Sequence, residues 1–223
     1  MSITLSISDD IATITLDDGK ANAINPEWLD QFLERFGEAE KGAKAIVIAG
    51  REGVFSGGFN LKWMPTATAE EMGGLLDTAG ELCCRVYGSP RPVVAACTGH
   101  AIAMGLFLLL SCDTRIGAQG EFRFGANETL NGMNLPVFAQ EMCRARLDST
   151  KLTLLVTQAY MYGPEEALAF GALDKIVEPA EVIATAQATA RLLAQLPGGA
   201  YGWNKQAMNS ATIERIRATT NGY

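Results

Sequence analysis

Two hundred and twenty-three residues, 48% hydrophobic and 19% charged, describe one globular unit with a sizeable buried core and exclude disorder, collagen and coiled coil. Eighteen Lys and Arg stand against 25 Asp and Glu, a net charge of −7 that disfavours non-specific binding to nucleic acid or to an anionic membrane. The five cysteines form no C-x-x-C pair and His100 is the one histidine, so neither a disulfide framework nor a zinc or multi-histidine metal site is expected.

The longest apolar run, residues 101–110, is about half of the roughly 20 residues that span a bilayer. Residues 1–8 carry no basic flank or apolar targeting core, and the setting is expected to be reducing and cytoplasmic. No G-x-S-x-G elbow, phosphate loop or G-x-G-x-x-G is present, which argues against serine hydrolysis and dinucleotide binding.

In chain order, residues 3–8 and 11–16 alternate in the manner of strands around Asp9-Asp10, a hairpin signal. Asn25-Pro26-Glu27 supplies a cap, a proline at the first helical position and an early acid for a helix ending near Gly42. Residues 45–49 (AIVIA) form an apolar strand closed by the turn at Gly50 to Gly53, and a second helix is predicted over 70–87, stopped by Ser89-Pro90-Arg91-Pro92. Residues 93–97 read as a buried strand, 105–112 as a helix apolar on every side, and 115–117 as a further strand. Later helices are predicted over 136–143, 149–157, 164–170, 179–195 and 201–211, with a strand at 174–177. The class is α/β. Residues 1–195 read as the core, and residues 196–223, after the Leu196-Pro197-Gly198-Gly199 break, as a C-terminal helical element of the same domain.

Three glycine-containing segments follow predicted strands. They are Lys20-Ala-Asn-Ala-Ile-Asn25, Phe55-Ser-Gly-Gly-Phe-Asn-Leu61 and Gly99-His-Ala-Ile-Ala-Met-Gly105. Glycines and small residues there can free main-chain N–H groups to face an anion, and two converging on one oxygen make an oxyanion hole. Taken singly, each reads first as a tight turn that needs positive φ.

Together with Ser111-Cys112-Asp113 and Phe124-Gly-Ala-Asn-Glu-Thr129, these segments resemble the enoyl-CoA hydratase/isomerase (crotonase) superfamily from about residue 3 to residue 210. The resemblance implies a crotonase-like ββα superhelix with a C-terminal helical region, a homotrimer or dimer of trimers, acyl-CoA as substrate and no further cofactor. It places the oxyanion donors on the amides of Gly57 and Met104, and lets Gly105 bring the helix start close to the thioester. Lys20 and Lys62 become partners for the CoA phosphates, and Ala21 and Ala23 backbone contacts to adenine and pantetheine. Phe59, Asn60 and Leu61 flank the thioester and the acyl entry, with Asn60 where an aspartate is more common.

The resemblance also separates subgroups. Of the two glutamates typical of hydratases, the first position falls on Phe107 and the second is Glu128. A single carboxylate resembles the Δ3,Δ2-enoyl-CoA isomerases, because moving a double bond needs one proton carrier and no water. Hydration of a 2-enoyl-CoA, with water held by Glu128, is the alternative reading, and a low-activity acyl-CoA-binding relative the second alternative. Phe122, Phe124, Leu130 and Met133 predict an apolar surrounding and a raised pKa for Glu128. Trp63, Met64, Met72, Leu75, Leu76 and Phe107 read equally as an acyl tunnel or as core packing. His100, between an apolar strand and an apolar helix, is expected to be packed and hydrogen-bonded rather than catalytic.

Overall fold

The computed structural model describes residues 3–219. β1 (Ile3–Ser8) and β2 (Ile11–Leu16) pair antiparallel about Asp9 and Asp10, whose φ values of 52° and 63° are the two left-handed residues that a tight hairpin needs. Asn25 caps α1 (Pro26–Gly42) by accepting the N–H of Trp28 at 2.9 Å. β3 (Ala45–Ala49) follows, then β4 (Gly53–Ser56), α2 (Ala69–Gly88), β5 (Val93–Cys97), β6 (Gly99–Ile102), α3 (Met104–Ser111), β7 (Thr114–Ala118) and β8 (Phe124–Gly125). The chain continues through α4 (Val137–Arg146), α5 (Pro164–Ala169), β9 (Lys175–Val177), α6 (Val182–Leu193) and α7 (Gly198–Arg217).

Two sheets result. The larger runs β1-β2-β3-β5-β7-β9, parallel after its first pair, and the smaller is the parallel β4-β6-β8. AIVIA is apolar throughout because both faces of the large sheet are covered. Ile46 and Ile48 join the core with α1 to α3, while Ala45, Val47 and Ala49 face Val182, Ala186 and Ala190 of α6.

The structure corrects some expectations. The helix expected over 149–157 is a 3-10 turn, Ser149–Lys151, followed by a π-helical turn, Thr153–Thr157. Residues 179–181 form a 3-10 turn before α6 begins at Val182. α7 starts at the glycine pair and runs to Arg217, because it packs along α2 and α4, buries Ile216 and pairs Arg217 with Glu81 at 2.8 Å. The last four residues of the expected C-terminal element lie outside the described residues. Three strands of the site, β4, β6 and β8, were not expected from sequence at all.

Candidate active site

The small sheet builds the site. Ser56 pairs with Ala101, Ala101 with Phe124, and Ile102 with Gly125, so three parallel strands end side by side and the segments after them emerge together. The carboxyl ends of parallel strands are where open sheets present loops to ligands. Here those loops carry Gly57 to Phe59, Ala103 to Met104, and Ala126 to Glu128.

A fourth segment, between β2 and α1, docks on the second loop. Asp18 gathers it: its carboxylate accepts the N–H groups of Lys20 at 2.7 Å, Asn22 at 2.9 Å and Ala23 at 3.1 Å. Partial burial works against the charge on Asp18, but those main-chain donors outweigh it and hold the carboxyl below its ordinary range. Asn22, fully buried with φ of 49°, donates to the carbonyls of Leu16 and Phe55 and accepts the Ser56 hydroxyl on its own carbonyl.

These contacts decide which amides are left over. The sequence-based donor at Gly57 is overturned: its N–H donates to the Ala21 carbonyl at 2.8 Å. Gly58 donates to the Ser56 hydroxyl at 3.2 Å and Asn60 to the Ile24 carbonyl at 2.8 Å. Phe59 bridges Ile24 in parallel fashion through its neighbours, Ile24 donating to Gly58 and accepting from Asn60, which turns the Phe59 N–H to the opposite side. Of the four successive amides 57–60, only that of Phe59 has no acceptor among the described residues.

Across from it, Ala103 donates to the Gly125 carbonyl at 2.9 Å, and the Met104 amide opens α3 with no acceptor among the described residues. The two loops touch: a Cβ on Gly58 would lie 3.3 Å from the Met104 nitrogen and 2.9 Å from the Ala103 Cβ. The left-handed conformation falls on Ala103, with φ of 51° and ψ of −124°, so Met104 keeps negative φ and its side chain packs into the core. A non-glycine residue held at positive φ is the kind of strain that collects at functional sites.

Gly105 plays another part than expected. A Cβ there would lie 2.3 Å from the Ser56 carbonyl oxygen, so the glycine permits α3 to press on the second loop and does not itself wall the cavity.

Beside the amides lies a cavity of about 270 Å³. Gly57, Phe59, Ala103, Phe107 and Glu128 meet on its wall, and Leu61, Met64, Met72 and Leu76 line the apolar side. Leu75, by contrast, is buried in the core. Phe107 is buried and packs edge-on against Phe138, with ring centroids 6.1 Å apart. Glu128 is the one carboxylate on this wall among the described residues. It is 6% exposed, its Oε2 has no hydrogen-bond partner, and burial pushes its pKa from 4.5 up to about 7 against a weaker opposing pull from its own amide. A carboxyl poised near neutrality beside two unspent amides can move a proton next to a carbonyl whose developing charge the amides accept.

A sequence model of the enoyl-CoA hydratase/isomerase family matches residues 6–221. The chain belongs to that family. An enoyl-CoA hydratase from Mycobacterium marinum superposes with a TM-score of 0.94 at 37% identity, covering 100% of this chain and 97% of that one. An enoyl-CoA hydratase/isomerase family protein from Pseudomonas syringae gives 0.95 at 35%, covering 99% and 95%. Human mitochondrial delta3-delta2-enoyl-CoA isomerase gives 0.91 at 25%, covering 98% and 87%. The fold is therefore the crotonase-like α/β fold and the chain is an enzyme of the hydratase/isomerase family.

Within this enoyl-CoA hydratase/isomerase site, several predicted residues stand apart from the cavity. Lys20 and Lys62 are exposed and form no ion pair among the described residues; the Lys20 carbonyl is held by Arg51 at 2.8 Å. Ala21 and Ala23 belong to the docked first loop. Asn60 is spent on structure, its Oδ1 accepting the amides of Lys62 and Trp63 to start the next turn. His100 sits on β6, accepts the Arg123 N–H at 2.9 Å and meets Phe122 edge-on.

Sequence reasoning passed over Asp18, Asn22, Ala103 and the asparagines 127, 131 and 134 that also line the cavity. Asp18 four residues before Asn22, between a strand and a helix, is the one pattern that could have marked the first pair.

Proposed function

We propose that this enzyme converts a 3-enoyl-CoA into the conjugated 2-enoyl-CoA, with Glu128 as the single proton carrier. The observation that carries the reading is that Glu128 is the lone carboxylate on the cavity wall among the described residues, with Phe107 on the same wall where a second acid would be needed to grip water for hydration. The Glu128 carboxylate takes a proton from C2, and the electron pair delocalises onto the thioester oxygen between the amides of Phe59 and Met104. The C3–C4 π bond shifts to C2–C3 as the Glu128 carboxyl, whose proton exchanges with solvent in part of the turnovers, delivers a proton to C4 or back to C2. Atoms balance without water or cofactor.

Each aimed amide is worth about 3 kcal/mol by analogy with oxyanion-hole deletions. A pKa of about 7 suits a carrier that must both take and return a proton, being ionised enough to accept and acidic enough to give back. Exposed Lys20 and Lys62, unpaired by carboxylates among the described residues, are the cations we assign to the CoA phosphates on an otherwise acidic protein.

The test is a panel of 3-enoyl and 2-enoyl thioesters, read at the ultraviolet band of the conjugated product. Isomerisation faster than formation of the 3-hydroxyacyl-CoA is expected. Faster hydration would favour the hydratase reading, and tight binding with neither reaction the low-activity relative. The same reading carries a homotrimer or a pair of trimers, for which Trp203 and Met208 on α7, 71% and 84% exposed, offer apolar surface; a solution mass measurement tests it.

A further inference from the structure

The cavity beside Glu128 is small for a long substrate. Its 270 Å³ falls just below the range of about 300–1,000 Å³ usual for small-molecule pockets. Once the thioester is seated, little of that space remains for a long acyl chain.

A second cavity of about 360 Å³ adjoins it, and the two share Met133 and Asn134 as lining residues. Its inner surface is Leu135, Cys143, Leu152 and Val156, and its rim is Thr153, Thr157 and Gln140. Leu135, Leu152 and Val156 are only partly buried, so apolar surface is left uncovered by the described residues. The lining includes the π-helical turn Thr153–Thr157, a distortion that is frequent at functional sites. Arg144 at the edge is paired with Glu141 at 2.8 Å, which leaves little to hold an anion. An uncharged hydrocarbon segment fits this lining better than a phosphate or carboxylate. Met133 itself is half-buried, unbranched and free to rotate about three bonds, so it can yield without disturbing the fold.

We propose that the acyl tail passes Met133 from the first cavity into the second, giving a proximal subsite beside Glu128 and a distal subsite for the remainder of a medium-length linear chain. This rests on the acyl-CoA reading above and names the substrate class within it.

The test compares binding of saturated hexanoyl-CoA and decanoyl-CoA, which requires no turnover. Calorimetric titration of the wild type should give decanoyl-CoA at least tenfold tighter. Thr153→Trp and Thr157→Trp, at exposed positions on opposite ends of the π-helical turn, fill the distal cavity independently, so one serves if the other fails to fold. Each should bring the two dissociation constants to within about twofold of one another. A wild-type ratio near one, or a tenfold ratio that survives both substitutions, overturns the distal subsite while leaving the acyl-CoA reading intact. Failure of the wild type to bind either thioester overturns both.

Discussion

The buried side-chain amide of Asn22 donates to the main-chain carbonyl of Phe55 at 3.1 Å, joining the segment before α1 to the end of β4. The same side chain holds Leu16 at 2.8 Å, and the Ser56 hydroxyl returns a bond of 2.8 Å to the Asn22 carbonyl. Asn22 is thus the staple that fixes the loop whose Phe59 amide stays unspent. Asn22→Ala removes buried hydrogen bonds and places alanine at φ of 49°, and should cost about 2–4 kcal/mol in urea denaturation. Asn22→Gly keeps the backbone and loses only the bonds, so it should fall between. In both, kcat should drop more than KM rises, because the displaced group serves the transition state. Wild-type stability in Asn22→Ala would remove the staple from the account.

Gly58→Ala tests the contact between the two amide-bearing loops. The new methyl would meet the Ile102 carbonyl oxygen and the Ala103 Cβ at 2.9 Å each, at φ of 88°. The expected result is a loss of about 2 kcal/mol in stability and on the order of 100-fold in kcat from a misaimed donor. Turnover within twofold of wild type would show that the loops need not abut.

Glu128 links activity and stability to pH. Burial raises its pKa from 4.5 to about 7, so the folded state keeps the proton over a range in which the unfolded chain has lost it. The associated stability is complete below about 4.5 and is lost as pH climbs towards 7, a difference on the order of 3 kcal/mol. Glu128→Gln should therefore be more stable than wild type at pH 8 by up to about that amount, with the gain gone at pH 4. Wild-type kcat/KM should rise with pH through about 7, since only the carboxylate accepts the C2 proton. A flat profile, or a mutant no more stable at pH 8, would contradict the buried, unpaired state of this acid.

Much of this was legible in the sequence, and the failures have physical causes. The hairpin, the Asn25 cap and the AIVIA strand announce themselves through local rules, and β1, β2, α1 and β3 fall where those rules put them. Glu128 and Phe107 could be singled out because the resemblance assigns their positions by register. β4, β6 and β8 escaped because they are four, four and two residues long, too short for any period to show. The displaced oxyanion donor has a different origin: nothing local to residues 55–61 says that Gly57 is spent on Ala21, which is far away in sequence. Asn22 likewise looks like an ordinary loop asparagine until the carbonyls it ties are known.

Asp113, in the Ser111-Cys112-Asp113 segment, anchors α7. Its carboxylate accepts Lys205 Nζ at 2.7 Å, the Tyr201 hydroxyl at 2.9 Å and the Val93 amide at 2.8 Å. Burial lowers the Lys205 pKa more than Asp113 raises it. Lys205→Met should destabilise by about 3 kcal/mol in thermal or urea unfolding, through the charge it leaves behind. The double change with Asp113→Asn should cost less than the sum of the single ones. Full additivity would mean the pair does not hold the helix.

Exchange of the substrate α-proton in deuterium oxide reports on Glu128 most directly. Wild type should wash deuterium into C2 of a 3-enoyl-CoA and into the product, whereas Glu128→Gln should bind the thioester within a fewfold of wild type and show no exchange above background. Exchange at the wild-type rate in Glu128→Gln would contradict a proton path through that carboxylate.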